Sequence, residues 1–303
     1  MRLNEYLQNE FGKKVYKISL NGGFTCPNRD GTKGTAGCIF CSAGGAGEFA
    51  EDPNLSITEQ IERGKARVAG KYNGDSYIAY FQAFTGTYAP VDRLRALYSE
   101  AINHPDIVCL SVATRPDCLP DDVLDLLEEM SRIKPVWVEL GLQTIHPETA
   151  TYIRRGYDLS VYDLAVKKLK QRGLSVIVHV ILGLPGESKE DMKDTVSYVV
   201  GNGIDGIKLQ LLHVLKGTDL EKEYHAGKFQ TMEMDTYLDV LADCLAIIPD
   251  DVVIHRMTGD GDKKLLVAPL WSADKKRVMN AINRMLVERE LHVIGRSPEK
   301  TMK

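Results

Sequence analysis

Between Val15 and about His213 the chain alternates two hydrophobic textures. Short runs dense in β-branched and aromatic residues read as strands: VYKISL (15–20), SYIAYFQAF (76–84), IVCLSVAT (107–114), VWVELGLQ (136–143), SVIVHVILG (175–183) and GIKLQLLHV (206–214). The stretches between them, near 57–69, 91–102, 120–131, 147–154, 160–172 and 188–202, carry helical patterns. Two have clear start signals, Pro120-Asp121-Asp122 and Ser188 with Asp191 three residues later. Six strand–helix units imply a parallel sheet with helical crossovers. The expected class is α/β, a partial (β/α)6 TIM-like barrel, with an open doubly wound sheet as the competing architecture.

Past His213 the texture changes. A helix near 234–247 leads to a strand, VVIHRM, a loop, TGDGDKK, an apolar stretch, LLVAPLW, and a last helix over 273–290. The pattern predicts a barrel core over 1–218 and a small α+β extension over 219–303 packed on it. In barrels of parallel strands, functional residues gather where the strands end. The polar strand-end motifs Gln82–Thr87, Thr114-Arg115-Pro116-Asp117, Glu139–Gln143, His179–Glu187 and His213–Thr218 would therefore face one mouth.

Composition narrows the class. The 303 residues are 44% hydrophobic and 26% charged, as in ordinary globular proteins, and no apolar run has the length of a membrane span. The N-terminal MRLNEYLQNEFGKK lacks the apolar stretch of a signal peptide, so the expectation is a cytoplasmic protein with no membrane partner. Basic ends flank an acidic middle within a net charge of −4, a pattern shared by a polyanion-binding surface and by plain solvated helices.

Six cysteines are too few for a disulfide framework in a chain this long. Cys109 and Cys244 fall in apolar patterns and read as core, while Cys118 sits in a loop where a reactive thiol is an alternative. Cys26, Cys38 and Cys41 are spaced C-x11-C-x2-C in the glycine-rich segment after the first strand. Three thiols are one short of a closed tetrahedral site. A zinc completed by a distant ligand and an iron–sulfur cluster with one open iron both fit that count.

The motifs TCPNRDGT, AYFQAFT, TRPDCLPD, ELGLQT, GLPGE, GIKLQLLHVLKGT and HRMTGDG…APLW together resemble the radical S-adenosylmethionine (SAM) enzymes. They are closest to the Elongator-like branch and its YtqA/YhcC-type group. The eleven-residue first gap departs from the three-residue gap usual in the superfamily and suits that branch. The resemblance covers nearly the whole chain. It implies a [4Fe–4S] cluster on Cys26, Cys38 and Cys41, whose open iron chelates SAM, and an electron donor such as flavodoxin or ferredoxin. Reductive cleavage of SAM would then yield a 5′-deoxyadenosyl radical that removes hydrogen from the substrate, with the protein supplying orientation and exclusion of solvent.

Carried over by position, the resemblance places Phe40 against adenine and the Gln82–Thr87 stretch, including Thr85 and Gly86, at the methionine amino group. Gln143 matches a ribose contact and Arg155 faces the SAM carboxylate. Glu139 joins this pocket, and His179 stands where some relatives place a ribose-binding Asp. Ala113 replaces an acid found elsewhere in the family. Read from the residues alone, Glu139 and Gln143 could equally satisfy a strand end, His179 a core hydrogen bond, and Arg154-Arg155 a solvated helix end. The resemblance further implies tRNA as partner, with wobble uridine carried from 5-carboxymethylaminomethyl toward 5-methylaminomethyl-2-thiouridine. Substrate contacts would come from His213, Lys216, His255, Arg256, Lys263, Lys264, Lys275, Lys276 and Arg277. A small metabolite or another macromolecule as substrate is the alternative, and a non-enzymatic metal-binding module a further one.

Overall fold

A computed structural model describes residues 1–291 apart from Ala46, Asn73 and Asp260; positions 292–303 of the expected extension lie outside the described residues. In chain order the elements are α1 (Leu3–Phe11), β1 (Tyr16–Leu20), α2 (Ile57–Val68), β2 (Tyr77–Phe81), α3 (Val91–Asn103), β3 (Ile107–Thr114) and α4 (Asp121–Ser131). There follow β4 (Val136–Gln143), α5 (Pro147–Tyr152), α6 (Leu159–Gln171), β5 (Ser175–Leu182), α7 (Lys189–Gly201) and β6 (Gly206–Leu211). The last part holds β7 (Val214–Leu215), α8 (Asp219–His225), α9 (Met234–Ala246), β8 (Val253–Arg256), β9 (Leu266–Ala268) and α10 (Lys275–Glu288).

The six expected strands form one parallel sheet in sequence order, each pairing with the next. The start signal read at Ser188 is a full capping box, in which its side chain accepts from the Asp191 backbone N–H and Asp191 accepts from that of Ser188. One strand departs from expectation. VVIHRM, read as lying outside the barrel, adds parallel to β6 as the sheet's seventh strand. Its buried Val253 and Ile254 cover what would otherwise be an open edge of β6. The short helix α8 is too brief to have shown a period.

Side chains sort by strand parity. Ile18, Leu20, Ala79, Phe81, Leu110, Val112, Val138, Leu140, Val176 and Val178 pack outward under the helices in the main core. The opposite parity fills the interior in layers, as parallel barrels do. At the base Val15, Ile78, Cys109, Trp137 and Ile177 form an apolar plug closed by Leu7 of α1. One pleat higher stand Lys17, Tyr80, Ser111, Glu139, His179 and Lys208. The topmost positions, among them Gln82, Ala113, Gly141, Ile181 and Gln210, line an open cavity at the C-terminal ends of the strands.

Candidate active site

Cys26, Cys38 and Cys41 line this cavity of about 270 Å³, together with Phe40, Gln82, Thr85, Gln143 and Arg155. The long gap between the first two cysteines is a tied excursion. Arg29 and Asp30 donate backbone N–H groups to the Cys26 carbonyl, and Lys33 returns to that of Pro27. Asn28 is the pin: its amide donates to the Arg154 carbonyl at 2.6 Å and approaches Cys38 Sγ at 3.4 Å. Arg29 holds the far end through the carbonyls of Cys41 and Ser42, at 3.1 and 2.5 Å. The Ile39 backbone bonds to Ile153 on one side and to Leu220 of α8 on the other. The loop is thereby fixed to two separate parts of the chain, at Ile153–Arg154 and at Leu220.

Burial raises the thiol pKa of Cys38, and burial together with the neighbouring Cys38 pushes Cys41 up to about 12. Thiolate ligands would form there by releasing protons to solvent as a metal centre binds. Among the described residues the three sulfurs do not all lie within 4.8 Å of one another. One tetrahedral zinc at about 2.3 Å from each sulfur would need them about 3.8 Å apart. The set that does come that close, Glu62, His104 and Asp106, has Lys65 bonded to both acids at 2.8 and 2.5 Å. Cys118, left open as a reactive thiol, is buried and pushed up to about 12, chiefly by desolvation, which makes it inert.

Two groups face the cavity with unmet capacity. Gln143 sits at a bulge ending β4, with a left-handed backbone at φ 73°, and its buried Oε1 has no hydrogen-bond partner among the described residues. Gly141 makes room for it, since a Cβ there would lie 2.9 Å from Gln143 Nε2. Arg155 is buried, bonds the carbonyls of Tyr157 and Thr144 at 3.0 and 2.6 Å, and lies 4.7 Å from the Tyr157 ring. It has no carboxylate partner among the described residues, whereas its neighbour Arg115 is paired with Asp117 at 2.9 Å. Arg154, the other member of that pair, points outward to Asp219.

Other expected contacts fall differently. Gln82 accepts from Ser19 at 2.8 Å while still lining the cavity. Gly86 stands behind the wall, because a Cβ on it would come within 2.7 Å of the Ala113 carbonyl. Glu139, which with His179 lines the floor of the same cavity, is fully buried, with Lys17 and Ser111 on one oxygen at 2.8 and 2.7 Å. Its other oxygen takes His179 Nε2 at 2.8 Å and the Lys208 ammonium. Burial alone would raise this carboxyl; Lys17 and Lys208 outweigh it and hold it well below the usual range. Burial and the Lys208 charge push His179 down to about 4, so it is neutral at pH 7 and donates to Glu139. The sequence reading missed Lys17 and Lys208. The signal available was one polar residue at matching depth in otherwise apolar strands.

Of the residues expected to meet substrate, His213 and Arg256 line the cavity, and the glycines of TGDGDKK pack on the His213 ring. His255 lies lower, edge-on to Trp137 at 5.1 Å between centroids. Lys216, Lys263 and Lys264 are exposed. Lys275, Lys276 and Arg277 are exposed on the first turn of α10, where cations run against the helix dipole. Lys275 Nζ lies 5.9 Å from the ring of Phe49, in the segment following the cysteine loop.

A curled parallel sheet with three thiols, a guanidinium that has no carboxylate partner among the described residues, and an unsatisfied amide oxygen at its carboxyl end is the setting of a cofactor-dependent barrel enzyme. The profile of the radical SAM superfamily matches residues 25–199, that of the radical SAM C-terminal domain matches 204–288, and the chain belongs to the radical SAM superfamily. It is a radical SAM enzyme, and membership implies SAM and an iron–sulfur cluster. Over 287 residues it is 46% identical to YtqA of Bacillus subtilis (strain 168), covering 95% of this chain and 89% of that one. It is 28% identical to the tRNA uridine(34) acetyltransferase of Methanocaldococcus infernus over 156 residues, or 50% of this chain and 29% of that one. The solved structure of the archaeal Methanocaldococcus infernus Elp3 superposes with a TM-score of 0.69 at 19% identity, over 92% of this chain and 64% of that one. No helix among the described residues is long and apolar enough to cross a membrane.

Proposed function

We propose that the protein holds a [4Fe–4S] cluster on Cys26, Cys38 and Cys41, binds SAM in the adjoining cavity, and acts on wobble uridine of tRNA. The reaction would carry 5-carboxymethylaminomethyl toward 5-methylaminomethyl-2-thiouridine. The observation that carries the cofactor assignment is one cavity shared by three thiols, Arg155, which has no carboxylate partner among the described residues, and the unsatisfied Gln143 oxygen. With an electron from a carrier such as flavodoxin or ferredoxin, the bound cluster and SAM supply reductive sulfonium cleavage and the radical chemistry that follows. This chain's part is to hold and orient. Arg155 offers a buried cation to the SAM carboxylate, Gln143 a free carbonyl oxygen to a ribose hydroxyl, and Phe40 an aromatic face to adenine. The apolar plug and α1 keep solvent out from below.

Arg155→Ala is expected to weaken SAM binding about ten- to a hundredfold, the contribution of a charge-assisted hydrogen bond pair, while iron content is retained. Isothermal titration of the reconstituted protein with SAM reads this directly. Wild-type affinity in a folded variant would remove Arg155 from the SAM site.

Support for tRNA comes from the relative named for uridine 34 and from the three cations held on the first turn of α10. The test compares modified nucleosides in tRNA from cells with and without the gene. An accumulation of the carboxymethylaminomethyl form is expected, and an unchanged profile argues against the reading. In a second arm, reversing charge at Lys275, Lys276 and Arg277 should weaken tRNA binding and flatten the log–log salt slope by about 0.7–0.9 per lost phosphate contact. A wild-type slope would locate the RNA surface elsewhere.

A further inference from the structure

Each of the three thiols has a donor beside it. The Asn28 amide points at Cys38 Sγ from 3.4 Å. Burial raises the Cys41 thiol and the Cys38 thiol adds to it, while the Arg29 charge is the largest influence in the opposite direction. At Cys38 burial again leads, opposed first by the Asn28 amide and then by the Arg115 charge. Arg115 faces Cys26 as well: burial works against its proton, and Asp117, followed by Cys26 and Cys38, holds the proton in place. Arg29 and Arg115 both line the cavity that contains the three cysteines.

The two guanidiniums differ in their counter-charge. Asp117 clasps Arg115 at Nε and Nη2, each at 2.9 Å, and also takes Lys33 at 3.1 Å. Arg29 donates instead to the backbone carbonyls of Cys41 and Ser42, and its guanidinium carbon lies 5.6 Å from the centre of the Phe84 ring. It has no carboxylate partner among the described residues. The carboxylates of the cavity wall are engaged elsewhere, Glu48 with Ser42 Oγ and Glu139 with Lys17, Ser111, His179 and Lys208. The loop also makes room for Arg29. Gly37, next to Cys38, has a left-handed backbone at φ 74°, and a Cβ on it would stand 3.0 Å from Arg29 Nε.

A reduced iron–sulfur cluster carries one more negative charge than the oxidised one. A fixed cation beside its sulfurs therefore favours reduction, and hydrogen bonds to the sulfurs act in the same direction. We propose that the collar of Arg29, Asn28 and Arg115 raises the reduction potential of the cluster held by Cys26, Cys38 and Cys41, with Arg29 as the cation that no carboxylate offsets. The proposal rests on the [4Fe–4S] assignment above. Arg29 acts through the cluster and not on the substrate. The consequence is easier electron transfer from a carrier such as flavodoxin or ferredoxin to a centre that burial by itself makes hard to reduce.

The test compares anaerobically reconstituted wild type, Arg29→Gln and Arg29→Lys. Iron and sulfide analysis should first give about four of each per chain. The proteins are then poised with dithionite and redox mediators in the absence of SAM, and the reduced cluster is quantified by electron paramagnetic resonance. Arg29→Gln should lower the equilibrium constant for one-electron reduction about tenfold, a shift of about 59 mV. Arg29→Lys keeps the charge and should stay within about threefold of the wild type. A purely structural role would move both variants alike, because neither keeps the planar guanidinium, and equal shifts in the two overturn the proposal. Equal potentials in all three loaded proteins overturn it as well while leaving the cluster in place. If Arg29→Gln fails to load iron, Asp117→Asn carries the test, since it removes the carboxylate that offsets Arg115 and Lys33. Its potential should rise, and an unchanged value overturns the proposal. A wild type that holds no cluster removes the [4Fe–4S] assignment and this proposal with it.

Discussion

Replacing any one of Cys26, Cys38 or Cys41 with alanine is expected to remove most of the iron from the reconstituted protein and to abolish SAM cleavage. Each thiol lines the same cavity and is held locally: the Cys26 carbonyl accepts from Arg29 and Asp30, Cys38 stands beside Asn28, and the Cys41 carbonyl accepts from the Arg29 guanidinium. A cluster held by three ligands has no spare, so one loss leaves two irons without protein ligands. Cys109, Cys118 and Cys244 are buried, and burial raises all three thiols, so their alanine variants should keep both iron and activity. Iron and sulfide analysis after anaerobic reconstitution, followed by quantification of 5′-deoxyadenosine, checks both halves. Retained iron in Cys26→Ala together with its loss in Cys118→Ala would show the ligand set to be wrong.

The second large effect is on stability. Glu139→Gln should destabilise the protein by about 3–5 kcal/mol, the usual consequence of removing one partner from a buried charge cluster. The amide takes the counter-charge from Lys17 and from Lys208, and Lys208 is too deeply buried for water to replace it. For a chain of this size the loss corresponds to a fall of roughly 10 °C in thermal midpoint. The dependence on pH has a definite sign. The folded carboxyl is held below its ordinary value, so its contribution is present above the unfolded carboxylate pKa of about 4.3 and is lost as pH falls through the folded value. The difference between wild type and variant is therefore expected at pH 7 and should fade in acid. A midpoint unchanged at pH 7 would mean that the two lysines are satisfied by other groups.

Much of the scaffold could be read from periodicity. The strands sit within three residues of their apolar runs at either end, because a strand buried on both faces needs continuous hydrophobicity and a crossover helix needs a 3.6-residue period. The capping box at Ser188 and the core burial of Cys109 and Cys244 follow from equally local rules. The cysteine spacing was similarly visible, since metal-binding chemistry concentrates in a few residue types.

What sequence could not supply was depth and pairing. Glu139 was grouped with Gln143 at the strand end, but Gln143 lies four positions further along the strand, and that distance puts Glu139 in the buried layer with two lysines from distant strands. VVIHRM joins the barrel sheet because β6 offered an edge, and the bulge that turns Arg256 inward exists only once those strands are in register. Local pattern determined where strands and helices form, which thiols lie together in the chain, and which cysteines are core. Tertiary structure decided which polar groups meet, because interior layers are assembled from one residue of each strand and no single segment contains the layer.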